Sequence, residues 1–275
     1  MRLKVGRLTL GERTLVMGVL NITPDSFSDG GTWFDAGRAA QHAFDMQAAG
    51  ADLIDIGGES TRPGSDAVSA EEELARVLPV LKRLRGHLKI PISIDTQKAA
   101  VAEAAIAAGA EIVNDVSALR TDPALAAVVR RARAPVILMH MRGRPKTMQK
   151  HPFARDVIQD VTRGLREAAR RARAAGIPRS HVLLDPGIGF GKSTEQNCEL
   201  LARLPELARL GYPLVVGTSR KTFLGKLLGG APENQRLWAT AASLTAAVLG
   251  GAHIVRVHDV AEMVQVVRVA DAIAR

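Results

Sequence analysis

Short apolar runs rich in β-branched residues alternate along the chain with stretches of Ala, Leu and Arg that carry a helical period. The runs are LVMGVL (15–20), ADLIDIGG (51–58), PISIDT (91–96), AEIVNDVS (110–117), PVILMH (135–140), VLLDPG (182–187), PLVVGTS (213–219) and HIVRVHD (253–259). A helical stretch follows each of them, over 33–49, 71–85, 97–109, 123–133, 155–175, 195–210, 233–249 and 260–274. Continuous apolar runs suit strands buried on both faces, and helical connections make such strands parallel. Eight repeats of strand and helix predict a (β/α)8 TIM barrel. A doubly wound sheet is the alternative, but no linker or compositional break divides the chain into halves. Ahead of the first unit, MRLKVGRLTLGERT alternates like a short strand pair and predicts an N-terminal β-hairpin. The expected organisation is one domain over residues 1–275. Gly50 and Gly109 end AAG patterns and predict left-handed helix C-termini.

The polar residues break the apolar pattern at one recurring place, the C-terminal end of each strand. Asn21, Asp55, Asp95, Asn114 with Asp115, His140, Asp185, Ser219, and Arg256 with His258 all fall there. In a barrel these ends share one mouth, where active sites form. A single such Asp is usually a cap or turn residue. A polar group at the end of every strand predicts a ligand pocket. Alternation places Asp95 on the same face as Ser93, opposite Ile92 and Ile94. Asp185 sits in an apolar setting, and a buried carboxylate needs donors. A ligand edge with paired N–H groups would supply them, or Lys221 and Arg256 could neutralise it as internal ion pairs.

Three loops carry further chemistry. NITPDSFSDGG (21–31) is too polar and too long for a simple turn, and it holds one aromatic, Phe27, at its centre. It is expected to act as a lid over residues 23–32, with Asn21 as its fixed anchor and Phe27 covering a ring. STRPGS (60–65) offers Thr61 and Arg62 to an oxyanion, next to a turn at Pro63. DPGIGFGKS (185–193) resembles a phosphate loop but has Pro186 where the Walker pattern requires glycine. An ATPase is therefore not expected. Its glycines permit either a tight turn or close approach of a flat ligand.

Composition narrows the picture. The chain has 275 residues, 47% of them hydrophobic but only 3% aromatic, so the core is built from aliphatic side chains. Net charge is +9. The arginines lie on helix faces without interleaved aromatics, which argues against nucleic acid and fits a field favouring small anions. No apolar run reaches the length of a membrane span, and the N-terminus lacks a signal-peptide core. The lone cysteine, Cys198, allows no internal disulfide. A cytoplasmic location is the expectation.

Taken together, MGVLNITPDSFSDGG, IDIGGESTRPG, ISIDT, IVNDVSAL, ILMHMRGRPKTMQ, LLDPGIGFGK, VVGTSRKTFLG and IVRVHDV resemble the bacterial dihydropteroate synthase family of pterin-binding proteins. The motifs span nearly the whole chain in the family's order. The resemblance implies that 4-aminobenzoate displaces diphosphate from 6-hydroxymethyl-7,8-dihydropterin diphosphate, with Mg2+ as cofactor and sulfonamides as competitors. It implies pterin contacts from Asp95, Asn114, Met139, Asp185, Gly189 and Lys221. Diphosphate would be held by Asn21, Thr61, Arg62, Arg256 and His258, with Asn21 the magnesium ligand. Aminobenzoate would meet Phe27, Pro63, Gly189, Ser219, Lys221 and Thr222. Thr222 stands where the family often has serine. Asp95, Asp185, Lys221 and Arg256 are the expected catalytic groups, and a homodimer is the expected assembly. The alternatives are a pterin-dependent methyltransferase and a non-catalytic pterin-binding relative.

Overall fold

The computed structural model describes residues 3–23, 35–60, 65–143, 148 and 155–274. The chain opens with an antiparallel hairpin of β1 (Leu3–Val5) and β2 (Leu8–Leu10), in which Leu3 pairs Leu10 around a turn at Gly6. Eight parallel strands follow: β3 (Leu15–Asn21), β4 (Leu53–Gly57), β5 (Ile92–Asp95), β6 (Ile112–Asp115), β7 (Val136–Met139), β8 (Val182–Asp185), β9 (Val215–Val216) and β10 (Ile254–Val257). Their order in the sheet is β8-β7-β6-β5-β4-β3-β10-β9. A parallel bridge from Leu184 to Leu214 joins the two ends and closes the barrel. This is the predicted (β/α)8 architecture with its hairpin.

The helices are α1 (Ala36–Ala48), α2 (Ala70–Leu84), α3 (Ala99–Ala107), α4 (Leu125–Ala132), α5 (Val157–Ala174), α6 (Thr194–Ala202), α7 (Leu204–Ala208), α8 (Thr222–Leu227), α9 (Leu237–Leu249) and α10 (Val260–Ala274). Side-chain caps fix several starts. Asp35 accepts from the amides of Gly37 and Arg38, and Ser69 from that of Glu72. Ser193 and Gln196 cap α6 reciprocally. Gly50 and Gly109 adopt φ of +101° and +115°, as their position after helices requires.

Two helical boundaries differ from expectation. The stretch 195–210 is two helices, because Pro205 lacks an amide donor and starts α7 afresh. The stretch 233–249 is helical only from Leu237, after a 3-10 turn over Glu233–Gln235. The short helix α8, inside KTFLGKLLGG, has too few turns to show a period and was not foreseen.

Strand side chains divide between two cores. Those pointing outward, such as Val16, Leu20, Ile54, Ile56, Val113 and Leu138, pack beneath the helices. Those pointing inward at the lower end, including Leu15, Met17, Leu53, Ile112, Ile137, Leu183, Val215 and Ile254, fill the barrel and meet Val5, Leu8 and Leu10 of the hairpin. The hairpin is thus a plug for the N-terminal end of the barrel. Among the described residues no comparable plug fills the C-terminal end.

Candidate active site

At the C-terminal end the same strands supply polar side chains. A cavity of 1230 Å³ is lined by Asn21, Asp95, Asn114, Met139, Asp185, Gly189, Ser219, Lys221, Thr222, Arg256 and His258. Every described residue expected in the site therefore shares one cavity. Phe27, Thr61, Arg62 and Pro63 lie outside the described residues, as does all of the expected lid except Thr23. Phe190, Met148, Val116, Ile188, Lys192 and Asn197 also line the cavity and were not foreseen. Phe190 was legible as the one aromatic of the DPGIGFGK loop.

A network of charge forms the floor. Arg256 donates from Nε to Asp55 Oδ2 at 2.7 Å and from Nη2 to Asp95 Oδ2 at 3.1 Å. Asn114 donates from Nδ2 to the same Asp55 oxygen at 3.0 Å. Arg256 is ion-paired, but to Asp55 and Asp95, and the expected ion pair with Asp185 is not among its contacts in the described residues. Burial, and then the charge of Asp55, push the Asp95 carboxyl well above its ordinary range, against the pull of Arg256. Burial works against the charge of Arg256 too, but Asp55 and Asp95 outweigh it and hold the guanidinium firmly protonated. Asp185 accepts the amide of Gly187 at 2.7 Å. Burial raises it to about 6, against the opposing effects of that bond and of Lys221 and Lys192.

The remaining groups form the walls. Lys221 Nζ sits 4.0 Å from the centroid of the Phe190 ring, a cation–π contact. Ser219 Oγ accepts the backbone amide of His258 and lies 3.1 Å from its Nδ1. The contact fixes the orientation of the imidazole ring relative to the end of β9. Ser219 therefore orients His258 as well as lining the cavity. Arg220, between Ser219 and Lys221, takes φ +59° and pairs with Asp259, the neighbour of His258. The β9 and β10 ends are tied together at two successive residues.

The wall between β7 and β8 is held by Lys192. It is 2% exposed and donates to the carbonyls of Gly187, Phe190 and His140 at 2.8, 3.0 and 3.3 Å. Burial, then the nearby charge of Arg142, lowers this lysine to about 7. Glycine is required here by packing. A Cβ on Gly187 would lie 2.0 Å from the His140 carbonyl oxygen, and one on Gly191 2.3 Å from that of Arg142. The loop glycines allow two backbones to touch.

Two strand-end residues turn away from the mouth. Asp115 accepts from the amides of Ser117 and Leu119, and it stabilises the left-handed Ala118–Leu119 turn. His140 packs against Gly164 of α5 and approaches Asp160 at 3.5 Å, and burial lowers it to about 4.

Among the described residues no group of three or more His, Cys, Asp or Glu could cage a metal ion. The oxygen donors on the cavity wall are spread over Asn21, Asp95, Asn114 and Asp185 and do not form a cage, and Asn21 contributes a neutral amide. This suits Mg2+, which keeps waters and prefers substrate phosphates to a protein cage.

The comparisons with known proteins agree with this geometry. A model of the family described as pterin binding enzyme matches residues 17–258. The dihydropteroate synthase of Synechocystis sp. is 50% identical over 265 residues, covering 96% of this chain and 92% of that protein. The chain belongs to the dihydropteroate synthase family. Members of this family are folate-pathway transferases. Among solved structures, the Yersinia pestis dihydropteroate synthase with a sulfonamide drug complex superposes with a TM-score of 0.93 at 46% identity, covering 99% of both chains. The Xanthomonas albilineans dihydropteroate synthase with 4-aminobenzoic acid gives 0.90 at 48% identity, covering 97% of this chain and 94% of that one. No helix among the described residues is long and apolar enough to cross a membrane.

Proposed function

We propose that the barrel mouth carries out the dihydropteroate synthase reaction by a dissociative displacement. The C–O bond of 6-hydroxymethyl-7,8-dihydropterin diphosphate breaks first, and its electron pair leaves with diphosphate. The methylene cation is stabilised by the electron-rich dihydropterin. The amine nitrogen of 4-aminobenzoate then attacks, forms the C–N bond and loses its proton, giving 7,8-dihydropteroate.

The observation that carries this reading is the convergence of acceptors, apolar side chains and cations on one cavity. Acceptors at Asp95, Asn114 and Asp185 lie beside the apolar Met139, Val116 and Ile188, and the cations Arg256 and Lys221 line the same space. Asn114 and the carboxylates of Asp95 and Asp185 take the N–H groups of the pterin's amino-pyrimidinone edge. The two carboxylates also stabilise positive charge as the bond breaks. Met139 and Gly189 bound the flat ring, and Lys221 donates to it. Arg256 and His258 receive the leaving diphosphate, with Thr61 and Arg62 assigned to the same group. Mg2+ held at Asn21 would supply further neutralisation of that group when bound. Aminobenzoate stacks near Phe27, Pro63 and Gly189, with its carboxylate towards Ser219, Lys221 and Thr222. Sulfonamides, as arylamine analogues, compete there.

No strong general base is required, since the arylamine sheds its proton after attack. Mixing protein, Mg2+ and both substrates should release diphosphate and dihydropteroate together. Methyl transfer without diphosphate would favour the methyltransferase alternative, and binding without turnover the non-catalytic one.

A homodimer completes the reading. Trp238, Leu249, Val269 and Ile273 expose between 50% and 80% of their surface on α9 and α10, helices that pack on each other. A second copy would cover this face. Sedimentation should find a dimer, and Trp238→Glu should shift it towards monomer.

A further inference from the structure

Asp55 is a buried acid for which the proposed reaction has no direct task. It is fully buried and does not line the cavity. One of its oxygens, Oδ2, accepts from both Arg256 and Asn114, which do line it. Its other oxygen has no hydrogen-bond partner among the described residues. A core carboxylate with an unsatisfied oxygen is a costly choice of side chain, and an apolar residue would fill a barrel interior as Leu53 does two residues earlier.

Two consequences follow from what Asp55 accepts. The Asn114 amide could present either its oxygen or its nitrogen to the cavity, and the two senses are sterically alike. A carboxylate cannot donate, so Asp55 holds the Nδ2 end and leaves Oδ1 as an acceptor. The cavity then selects a ligand edge made of N–H donors. In Arg256, Nε and Nη2 both lie on one edge of the guanidinium and are taken by Asp55 and Asp95. The plane is fixed, and the Nη1 end is left to the cavity.

We infer that Asp55 is a positioning residue that sets the amide sense of Asn114 and the plane of Arg256, coupling recognition of the pterin edge to stabilisation of the leaving group. The inference rests on the assignment of the mouth proposed above.

The test begins by measuring diphosphate release by the unaltered protein, so that failure of the general reading is seen separately. Asp55→Asn should then lower kcat/KM for the pterin substrate about a hundredfold and weaken binding of a non-reacting pterin about tenfold. The KM for aminobenzoate should stay within twofold, a selectivity that general loosening of the fold would not give. Combining Asp55→Asn with Arg256→Gln should cost clearly less than the product of the two single losses, because only the Asn114 contact of Asp55 is then left to lose. Turnover of Asp55→Asn within threefold of the unaltered protein overturns the inference, as do losses that multiply in the double variant. Should Asp55→Asn not accumulate as folded protein, the smaller Asp55→Ser carries the same expected losses, and near-normal turnover there overturns the inference equally.

Discussion

Leu53 and Asp55 lie two residues apart on one strand and both point into the barrel. Leu53 packs with the apolar side chains above the hairpin plug, and Asp55 binds Arg256 and Asn114. The same step recurs on other strands, from Ile112 to Asn114, Leu183 to Asp185 and Ile254 to Arg256. Two residues of strand advance only about 7 Å. Within that distance the barrel changes from a dry, closed core to a charged floor under a cavity. The lower layer holds the eight strands at fixed spacing, and the upper layer uses that spacing to bring side chains from distant parts of the sequence into contact. A division of labour of this kind predicts that damage to the two layers should be separable.

The largest effect should come from below. Leu53→Ala removes a fully buried side chain and should cost about 2–5 kcal/mol of folding stability. Urea denaturation would measure the loss. The variant that remains folded at low temperature should keep a near-normal kcat/KM per folded molecule. A specific loss of turnover with intact stability would break the distinction between layers.

The next effect lies above. Asp185→Asn should weaken pterin binding about ten- to a hundredfold, the equivalent of roughly 1.5–3 kcal/mol for a charge-assisted hydrogen bond. Glu167→Gln, on the exposed surface of α5, should leave it unchanged. Calorimetry with pterin distinguishes them. Thermal stability of Asp185→Asn should hold or rise, because an expensive buried carboxyl has been replaced by a neutral amide of the same shape.

That stability change should depend on pH with a definite sign. Burial raises Asp185 to about 6 in the folded protein, from an ordinary value of 3.8. Between these values the folded state keeps a proton that the unfolded state releases, so this group lowers stability as pH rises through the window. Above about 6 the full cost is present, on the order of 1–3 kcal/mol. His140 acts in the opposite direction. Burial lowers it to about 4 from 6.5, so its contribution raises stability as pH climbs from 4 to 6.5. Asp95, which burial also raises, acts in the same direction as Asp185, so the unaltered protein should lose stability as pH rises here and only the difference between the two proteins isolates Asp185. Asp185→Asn should become relatively more stable as pH rises from 4 to 6, and parallel melting curves for the two proteins across that range would exclude the assignment.

Much of this is legible in the sequence. The alternation of runs gave eight strands in order, and polar strand ends gave the mouth. What remained hidden was of three kinds. Alternation separates inward Asn114 from outward Asp115, and inward Met139 from outward His140, but only once a neighbouring residue on each strand is known to face inward. The short helix α8 packs against α6 and, over Thr222–Leu227, is too short for a sequence period to announce it. The triple carbonyl coordination of Lys192 depends on two loops more than forty residues apart meeting backbone to backbone, a fact no local pattern carries. The roles assigned to Phe27, Thr61, Arg62 and Pro63 rest on their motifs alone.

The smallest expected effect lies at the boundary between the layers. Ser93 is the inward residue of β5 below Asp95 and pairs in register with Asp55. Its hydroxyl is buried and has no hydrogen-bond partner among the described residues. It therefore belongs to neither layer: it adds no packing comparable to Leu53 and holds no charged neighbour as Asp55 does. An unpaired hydroxyl in this position costs desolvation without return. Ser93→Ala should leave stability unchanged or raise it by about 1 kcal/mol, and kcat/KM should stay within twofold. Thermal unfolding and steady-state rates on one preparation measure both. A tenfold loss of turnover from deleting this single oxygen would show that the charged floor extends one residue deeper than its recorded hydrogen bonds, and the boundary between stability and chemistry would have to be drawn below Ser93.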